Sequence, residues 1–389
     1  MNKNFGRYVL ALSLGCFLAN YFLLGELKNI WSVAQYPLFD FRGQWQLCAY
    51  TLHGIDPYPL RGVEEPLIEE LGEIPAAWST TPWGLILGNF FYPGFLNVRD
   101  AANYFLVLNI IVLLITALVL NKFFRFSAIM LPAFLASFFI SMHFGNAGAV
   151  ICCFLILSCI FADRLPILAG FLLGVAMIKP QVALPICFAL LFRKNFKVLT
   201  VAALIDFAAW GIAAVMTNAS PLQLLTEFFS IKTGGNTVFS GLFTLAFPED
   251  KSLAMGLSML AGIFFIWLTF KDKEYFWACP ACLATTFFAY SFHNEFFILI
   301  LPALVAINFA ARADSKREKI FGLIVFAITA SAPYALLISI KFFVEDLITA
   351  FWLARTIFAV MLILIGFFTA KNFLKIFLSA SRKIKGRGE

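Results

Sequence analysis

The sequence predicts an all-α polytopic membrane protein, and three observations carry that prediction. The chain of 389 residues is 61% hydrophobic and 13% charged, against about 45–50% apolar and about 25% charged in soluble domains. Its apolar residues gather into runs that approach the ~20 residues a spanning helix needs, which argues against a β-barrel. The basic residues behind its net charge of +7 are scattered between those runs, as orientation signals are. That scatter gives no reason to expect nucleic acid as a partner. Residues 1–389 are expected to form a single integral membrane domain.

Taken in order, the apolar runs are 8–27, 102–121, 126–142, 147–162, 165–178, 181–193, 198–217, 253–270, 275–292, 295–311, 320–340 and 350–370. Because 165–178 and 181–193 are short for a crossing and flank Lys179-Pro180, the expected count is about 10–13 transmembrane helices. The first run follows Lys3 and Arg7 and reads as an uncleaved anchor. A long connection, 28–101, comes next. It holds a helical stripe in which Leu38, Phe41, Trp45, Cys48 and Leu52 recur every three or four residues. Asp40 and Gln44 share another face, one turn apart. His53-Gly54 is a helix stop and Asp56-Pro57-Tyr58 a turn signal. This amphipathic helix is expected to lie in the membrane surface with its carboxylate at the water boundary. The glutamates Glu64, Glu65, Glu69, Glu70 and Glu73 read as a solvated face. Pro82–Phe95, broken by Gly84, Gly88, Pro93 and Gly94, reads as re-entrant or interfacial. In a second connection, 218–252, Ser220-Pro221 caps a short amphipathic helix expected to run to about Lys232. The basic residues of 372–389 suit a cytoplasmic tail near anionic lipid.

Placing the N-terminus inside puts most of the 29 Lys and Arg residues on the cytoplasmic side, so both termini are expected there. Then 28–101 and 218–252 face outward. Six of the eight cysteines fall inside apolar runs and read as small hydrophobes. Cys279-Pro280-Ala281-Cys282 has metal or redox spacing but no second pair beside it. No metal ligand set and no cofactor are expected.

Ionisable groups in membrane segments are expensive and need a reason. Four separated features reach the outer side on this topology, each at a break between apolar runs: Asp40 with Arg42, His143 with Asn146, Lys179-Pro180-Gln181, and His293-Asn294-Glu295. Such groups can line one cavity. At these residues the sequence resembles glycosyltransferase family 87, membrane enzymes of the GT-C type. Asp40-Phe41 opens the first outer loop, and Gly54-Ile55-Asp56-Pro57-Tyr58 follows. Thr81-Pro82-Trp83 stands where the family tends to have an aromatic-proline-proline, and His143-Phe144-Gly145-Asn146 where it often has Gly-Gln-x-Asn. Lys179-Pro180-Gln181 matches the family's Lys-Pro break, before the basic Arg193–Lys197 cluster.

The resemblance implies a GT-C-like bundle around an outward-facing cavity, in a multi-pass protein of the plasma (inner) membrane. It implies a polyprenyl-phosphate sugar donor, commonly mannose, and inverting transfer to a lipid-linked or other glycan acceptor. The family's catalytic acid maps by position onto Asp40, expected to act as general base. Lys179 is expected at the donor phosphate, with Arg42 and Arg61 in reserve. His293, Asn294, His143, Asn146 and Gln181 are candidates to orient substrate, and Trp45, Tyr58 and Trp83 to stack on sugars. A transporter or flippase of lipid-linked glycans is the alternative. It predicts acidic groups through the bilayer, whereas the spans carry almost none, Asp206 being the clear exception.

Overall fold

The computed structural model describes residues 3–30, 38–58, 71, 80–124, 127–234, 247, 250–269, 277–285, 297–313 and 315–341. Every regular element among them is helical. In chain order they are α1 (Lys3–Ile30), α2 (Phe39–Leu52), α3 (Gly84–Leu87), α4 (Val98–Phe123), α5 (Ser127–Met130), α6 (Pro132–Phe144), α7 (Gly148–Phe161) and α8 (Pro166–Ala176). After them come α9 (Pro180–Phe192), α10 (Phe196–Met216), α11 (Pro221–Gly234), α12 (Lys251–Thr269), α13 (Ala278–Ala284), α14 (Ile300–Arg312) and α15 (Lys316–Lys341). Arg61, the glutamates of 64–73, His293, Asn294, the run 350–370 and the tail 372–389 lie outside the described residues.

Two of these helices, α4 and α10, are long and apolar enough to cross a membrane. Their outer faces identify the solvent they are built for. Leu118 on α4 is 72% exposed and Val215 on α10 is 82% exposed. A soluble core helix would bury such side chains; a helix against lipid leaves them outward. α7 is the opposite case, with every residue from Gly148 to Ile160 buried. A helix apolar on all sides belongs at the centre, and α7 is the post around which its neighbours stand.

Long α4 packs against that post, as do several short helices. At 1.5 Å per residue α6, α7, α8 and α9 run about 16–21 Å, against about 39 Å for α4. The expected run 126–142 is broken at Leu131-Pro132 into α5 and α6, because proline starts a helix more readily than it continues one. α7, α8 and α9 share their two ends. At one end Arg193 pairs with Asp163 at 3.0 Å, the Asn195 amide donates to the Ala162 carbonyl, and the Arg193 guanidinium lies 5.0 Å from the Trp277 ring. At the other end lie Asn146 and Lys179. α10 packs along α8 where Gly170 and Gly174 remove side chains: a Cβ on Gly170 would come 2.6 Å from that of Val201. Small residues four apart give this approach within membranes.

The segment expected to lie in the membrane surface does form a helix, α2, but its burial differs from the expectation. From Trp45 to Thr51 every residue is buried, polar Gln46 and Thr51 included. The cause is a covering layer on the face that the stripe leaves polar. The Gln46 amide donates to the Leu71 carbonyl at 2.7 Å. Gly94 also lies so close that a Cβ there would be 2.5 Å from the Ala49 nitrogen. The stretch 82–95 forms α3 and one 3-10 turn, Gly88–Phe90, too short to cross anything. In the second connection α11 covers the expected helix, and Ser220 caps it by accepting from the Gln223 N–H at 3.1 Å.

Candidate active site

α6 ends in Gly145, whose φ of +69° is the left-handed cap that favours glycine. The turn that follows is tied down by its own neighbours. The Ser141 hydroxyl donates to the Asn146 carbonyl and accepts from the Ala149 N–H, and the Asn146 N–H returns to the Ser141 carbonyl at 2.8 Å. The Ala147 N–H donates to the Tyr92 hydroxyl at 2.8 Å. Tyr92 is itself stacked on Phe105 of α4. Four contacts therefore fix the direction in which the Asn146 side chain leaves the turn.

α2 docks onto this turn by its first residues. The Leu38 N–H donates to the His143 carbonyl at 2.7 Å. Phe41 packs so tightly on Gly145 that any Cβ there would collide with its own Cβ. Between Leu38 and Phe41 stands Asp40, half-buried in the first turn of α2, where a carboxylate is favoured by the helix dipole. Lys179 approaches from the break between α8 and α9, at the N-cap of α9 with Pro180 in the first helical position.

The three side chains meet through one amide. The Asn146 NH2 donates to Asp40 Oδ2 at 2.7 Å, and Lys179 Nζ donates to Asn146 Oδ1 at 2.5 Å. The Gly148 N–H also donates to that oxygen, at 2.8 Å. With an ammonium and a peptide N–H on one side, only the amide oxygen can face them, so the NH2 must face the carboxylate. An acid, an amide and a cation from three separated parts of the chain thus form one hydrogen-bonded row. Trp83 closes on the same place: its indole N–H donates to the Met177 carbonyl, two residues before Lys179, at 2.9 Å. Thr81 shapes that approach by accepting from the Gly84 N–H at 3.1 Å.

Other predicted residues stand elsewhere or do other work. Trp45 is buried and its indole N–H donates to the Leu96 carbonyl at 3.1 Å. Tyr58 is buried with its hydroxyl on the Thr80 carbonyl at 2.7 Å and its ring against Phe228 of α11. Both are packed into the covering layer, whereas Trp83 is half-buried. Arg42 is exposed; His143, in the last turn of α6, and Gln181, in the first turn of α9, are half-buried. Asp56 acts as the turn former its sequence suggests, accepting from the Tyr58 N–H at 3.0 Å. Burial first, then Asp56 and Glu227, push the Tyr58 phenol well above its ordinary range. Cys48 is driven up to about 12 by burial alone, which makes it a packing residue and not a nucleophile. Among the described residues no group of three or more His, Cys, Asp or Glu is placed to hold a metal ion. Sequence reasoning missed Ser141 and Tyr92. The signal was available for the first, since a serine at a helix end five residues before a turn asparagine is suited to bond its backbone.

Long lipid-facing helices around a buried post, with an acid–amide–lysine row at a helix break, define a helical membrane protein with a built polar site. The chain matches glycosyltransferase family 87 over residues 81–339 and belongs to that family. It is therefore a membrane glycosyltransferase in the general sense, and the transporter alternative falls away. The matched stretch takes in Trp83, His143, Asn146, Lys179 and Gln181 and begins after Asp40, so the docking of α2 is what ties Asp40 to it. No curated protein matches the chain. No solved structure matches it either.

Proposed function

We propose that the chain transfers a hexose, commonly mannose in this family, from a polyprenyl-phosphate donor to a lipid-linked or other glycan acceptor, with inversion. The observation that carries the reading is the convergence of Asp40 and Lys179 on Asn146. The acceptor hydroxyl attacks the anomeric carbon and its proton passes to the Asp40 carboxylate. A new oxygen–carbon bond forms as the bond from carbon to the phosphate oxygen breaks. The lipid phosphate leaves with the electron pair and one more negative charge. Lys179 meets that charge, at a helix N-terminus where the backbone also favours anions. A placed base contributes typically about 10²–10⁴-fold. The products are the extended glycan and a polyprenyl phosphate, with the proton returned from Asp40 to water or to that phosphate. Trp83 is the stacking surface for a sugar, and His143 and Gln181 the half-buried polar groups nearest to orient one. In this reading Arg42 and Arg61 are reserve cations for the phosphate and His293 and Asn294 further groups to orient substrate, the last three lying outside the described residues. The active site faces outward from the plasma (inner) membrane, with both termini cytoplasmic.

The helix lengths fit such substrates. A hydrocarbon core of ~30 Å exceeds the ~20 Å of α6–α9 by about 10 Å. With the Arg193 end taken at the cytoplasmic face, this reading sets the row about 10 Å inside the outer boundary, a depth that suits a phosphate carried on a lipid. The test is sugar transfer from radiolabelled polyprenyl-phosphate sugars by purified wild-type protein and by Asp40→Asn. The expected result is loss of at least about 100-fold in turnover with an unchanged unfolding midpoint. Substantial residual turnover removes Asp40 from the mechanism.

A further inference from the structure

The geometry points to Asn146 as the positioning residue of the site: its amide sets the rotation of the Asp40 carboxylate and relays to it the position of Lys179. The inference rests on the reading of Asp40 as the base and adds to it a residue that acts through another. It comes from the partners of one amide. Asn146 was expected to orient substrate, yet its oxygen is taken by Lys179 Nζ and the Gly148 N–H, and its NH2 engages Asp40 Oδ2.

Each link limits the next. The backbone of Asn146 is held by Ser141 through both its N–H and its carbonyl. The Gly148 N–H belongs to the first residue of α7, the buried post, so one of the two donors on the amide oxygen cannot wander. The amide plane is thereby fixed. The NH2 that engages one Asp40 oxygen restrains rotation of the carboxylate about its Cβ–Cγ bond. A base must lie within hydrogen-bond reach and in line with the proton it takes, and a 1 Å misplacement can lose about 100-fold in rate. The second consequence concerns Lys179. An ammonium has three donors, and spending one on Asn146 aims the others. A phosphate that draws Lys179 shifts a partner of the same amide that holds the base. Besides Asp40, the charged or titratable groups described at these helix ends are Lys179 at the N-cap of α9, His143 in the last turn of α6 and Arg42 in the first turn of α2, with the Tyr92 hydroxyl on the turn. Further along, α2, α7 and α9 carry Cys48, Tyr50, Cys152, Cys153, Cys159 and Cys187.

The experiment compares Asn146→Asp and Asn146→Ala with wild type and Asp40→Asn, measuring kcat, acceptor KM, the pH profile of kcat and thermal unfolding in detergent. Aspartate has the shape of asparagine and can still accept from Lys179 and Gly148, but it has no NH2 for Asp40 and sets a second carboxylate against the first, which resists ionisation. Alanine removes the NH2 without adding a charge, so a positioning role makes both variants fail, while a purely structural role lowers turnover in the Asp40→Asn background as well. The expected result is a kcat lowered about 100-fold in both variants, an acceptor KM little changed, and an acid limb of the pH profile moved upward by about one unit in Asn146→Asp alone. In the Asp40→Asn background the same change should lower residual turnover no further, since the residue acts through the base. An Asn146→Asp enzyme with wild-type kcat and pH profile overturns the inference while leaving Asp40 as base. So does an Asn146→Ala enzyme with wild-type kcat, or a further loss in the Asp40→Asn background. Full turnover by Asp40→Asn overturns both this inference and the reading beneath it.

Discussion

Replacing Gly145 by alanine tests how α2 is registered on the turn, because that one position carries two separate demands. Its φ of +69° lies in the left-handed region, which costs an L-residue roughly 1–2 kcal/mol. The added methyl would also collide with Phe41 Cβ and come 3.0 Å from the Phe41 nitrogen. Those atoms sit at the root of a docked helix and not at the tip of a flexible side chain. Overpacking of this kind typically costs about 1–3 kcal/mol, so the two demands together predict about 2–5 kcal/mol. Relief comes only by moving α2 away, and Asp40 is the residue before Phe41. A shift near 1 Å predicts about 100-fold slower transfer. The measurements are unfolding midpoint in detergent and turnover under saturating donor and acceptor. Gly211→Ala is the control: nothing lies within 4 Å of a Cβ there, in the interior of α10, and alanine should stabilise it by up to about 1 kcal/mol. A Gly145→Ala protein with wild-type midpoint and turnover would refute the docking argument.

Three further outcomes are expected. Lys179→Met keeps the apolar stem but removes the charge, and losing a hydrogen bond to a charged group, about 1.5–3 kcal/mol, should raise the donor concentration required by roughly 10–100-fold; an unchanged donor titration would reduce Lys179 to a support for Asn146. Gly170→Val pushes a side chain into Val201 and should lower stability by about 1–3 kcal/mol, with near-normal kcat in the protein that remains folded; an unaltered midpoint would show that α8 and α10 are not held by this approach. Tyr58 is raised in the folded state by burial, Asp56 and Glu227 in that order, so its contribution is fully present below the ordinary phenol value near 10 and is lost as pH rises above it. Wild-type stability should therefore fall more steeply above pH ~10 than that of Tyr58→Phe, while below it the variant is weaker by about 1 kcal/mol for the lost bond to Thr80; parallel curves would contradict this.

Asp40, Asn146 and Lys179 could be found in the sequence because each polar group interrupts an apolar run, and such interruptions are rare in a membrane chain. Their order along the chain supplied the family resemblance. What escaped was decided by neighbours that a single helix's pattern does not record. The stripe of α2 shows which side is apolar, yet Gln46 and Thr51 on it are buried because the Leu71 carbonyl and the helix's own Leu47 carbonyl accept from them. Trp45 and Tyr58 carried the same signal as Trp83, an aromatic ring with a polar tip near a membrane boundary. Only the location of the carbonyl that each tip reaches separates packing from site. The break at Leu131-Pro132 lay inside a run that composition alone treats as continuous, since hydropathy counts apolar residues without asking how they are joined.

The seclusion of α7 has a consequence for how this protein can change. A segment that touches oil must stay oily, whereas one enclosed by other helices answers only to the shape left for it. Cys152, Cys153, Ser158 and Cys159 sit within that enclosure, and the Ser158 hydroxyl spends its proton on the Ala169 carbonyl of a neighbour. Substitutions along the post should be judged by volume and by matched donors. Greasiness, which rules the outward faces of α4 and α10, is there a poor guide to what the molecule will accept.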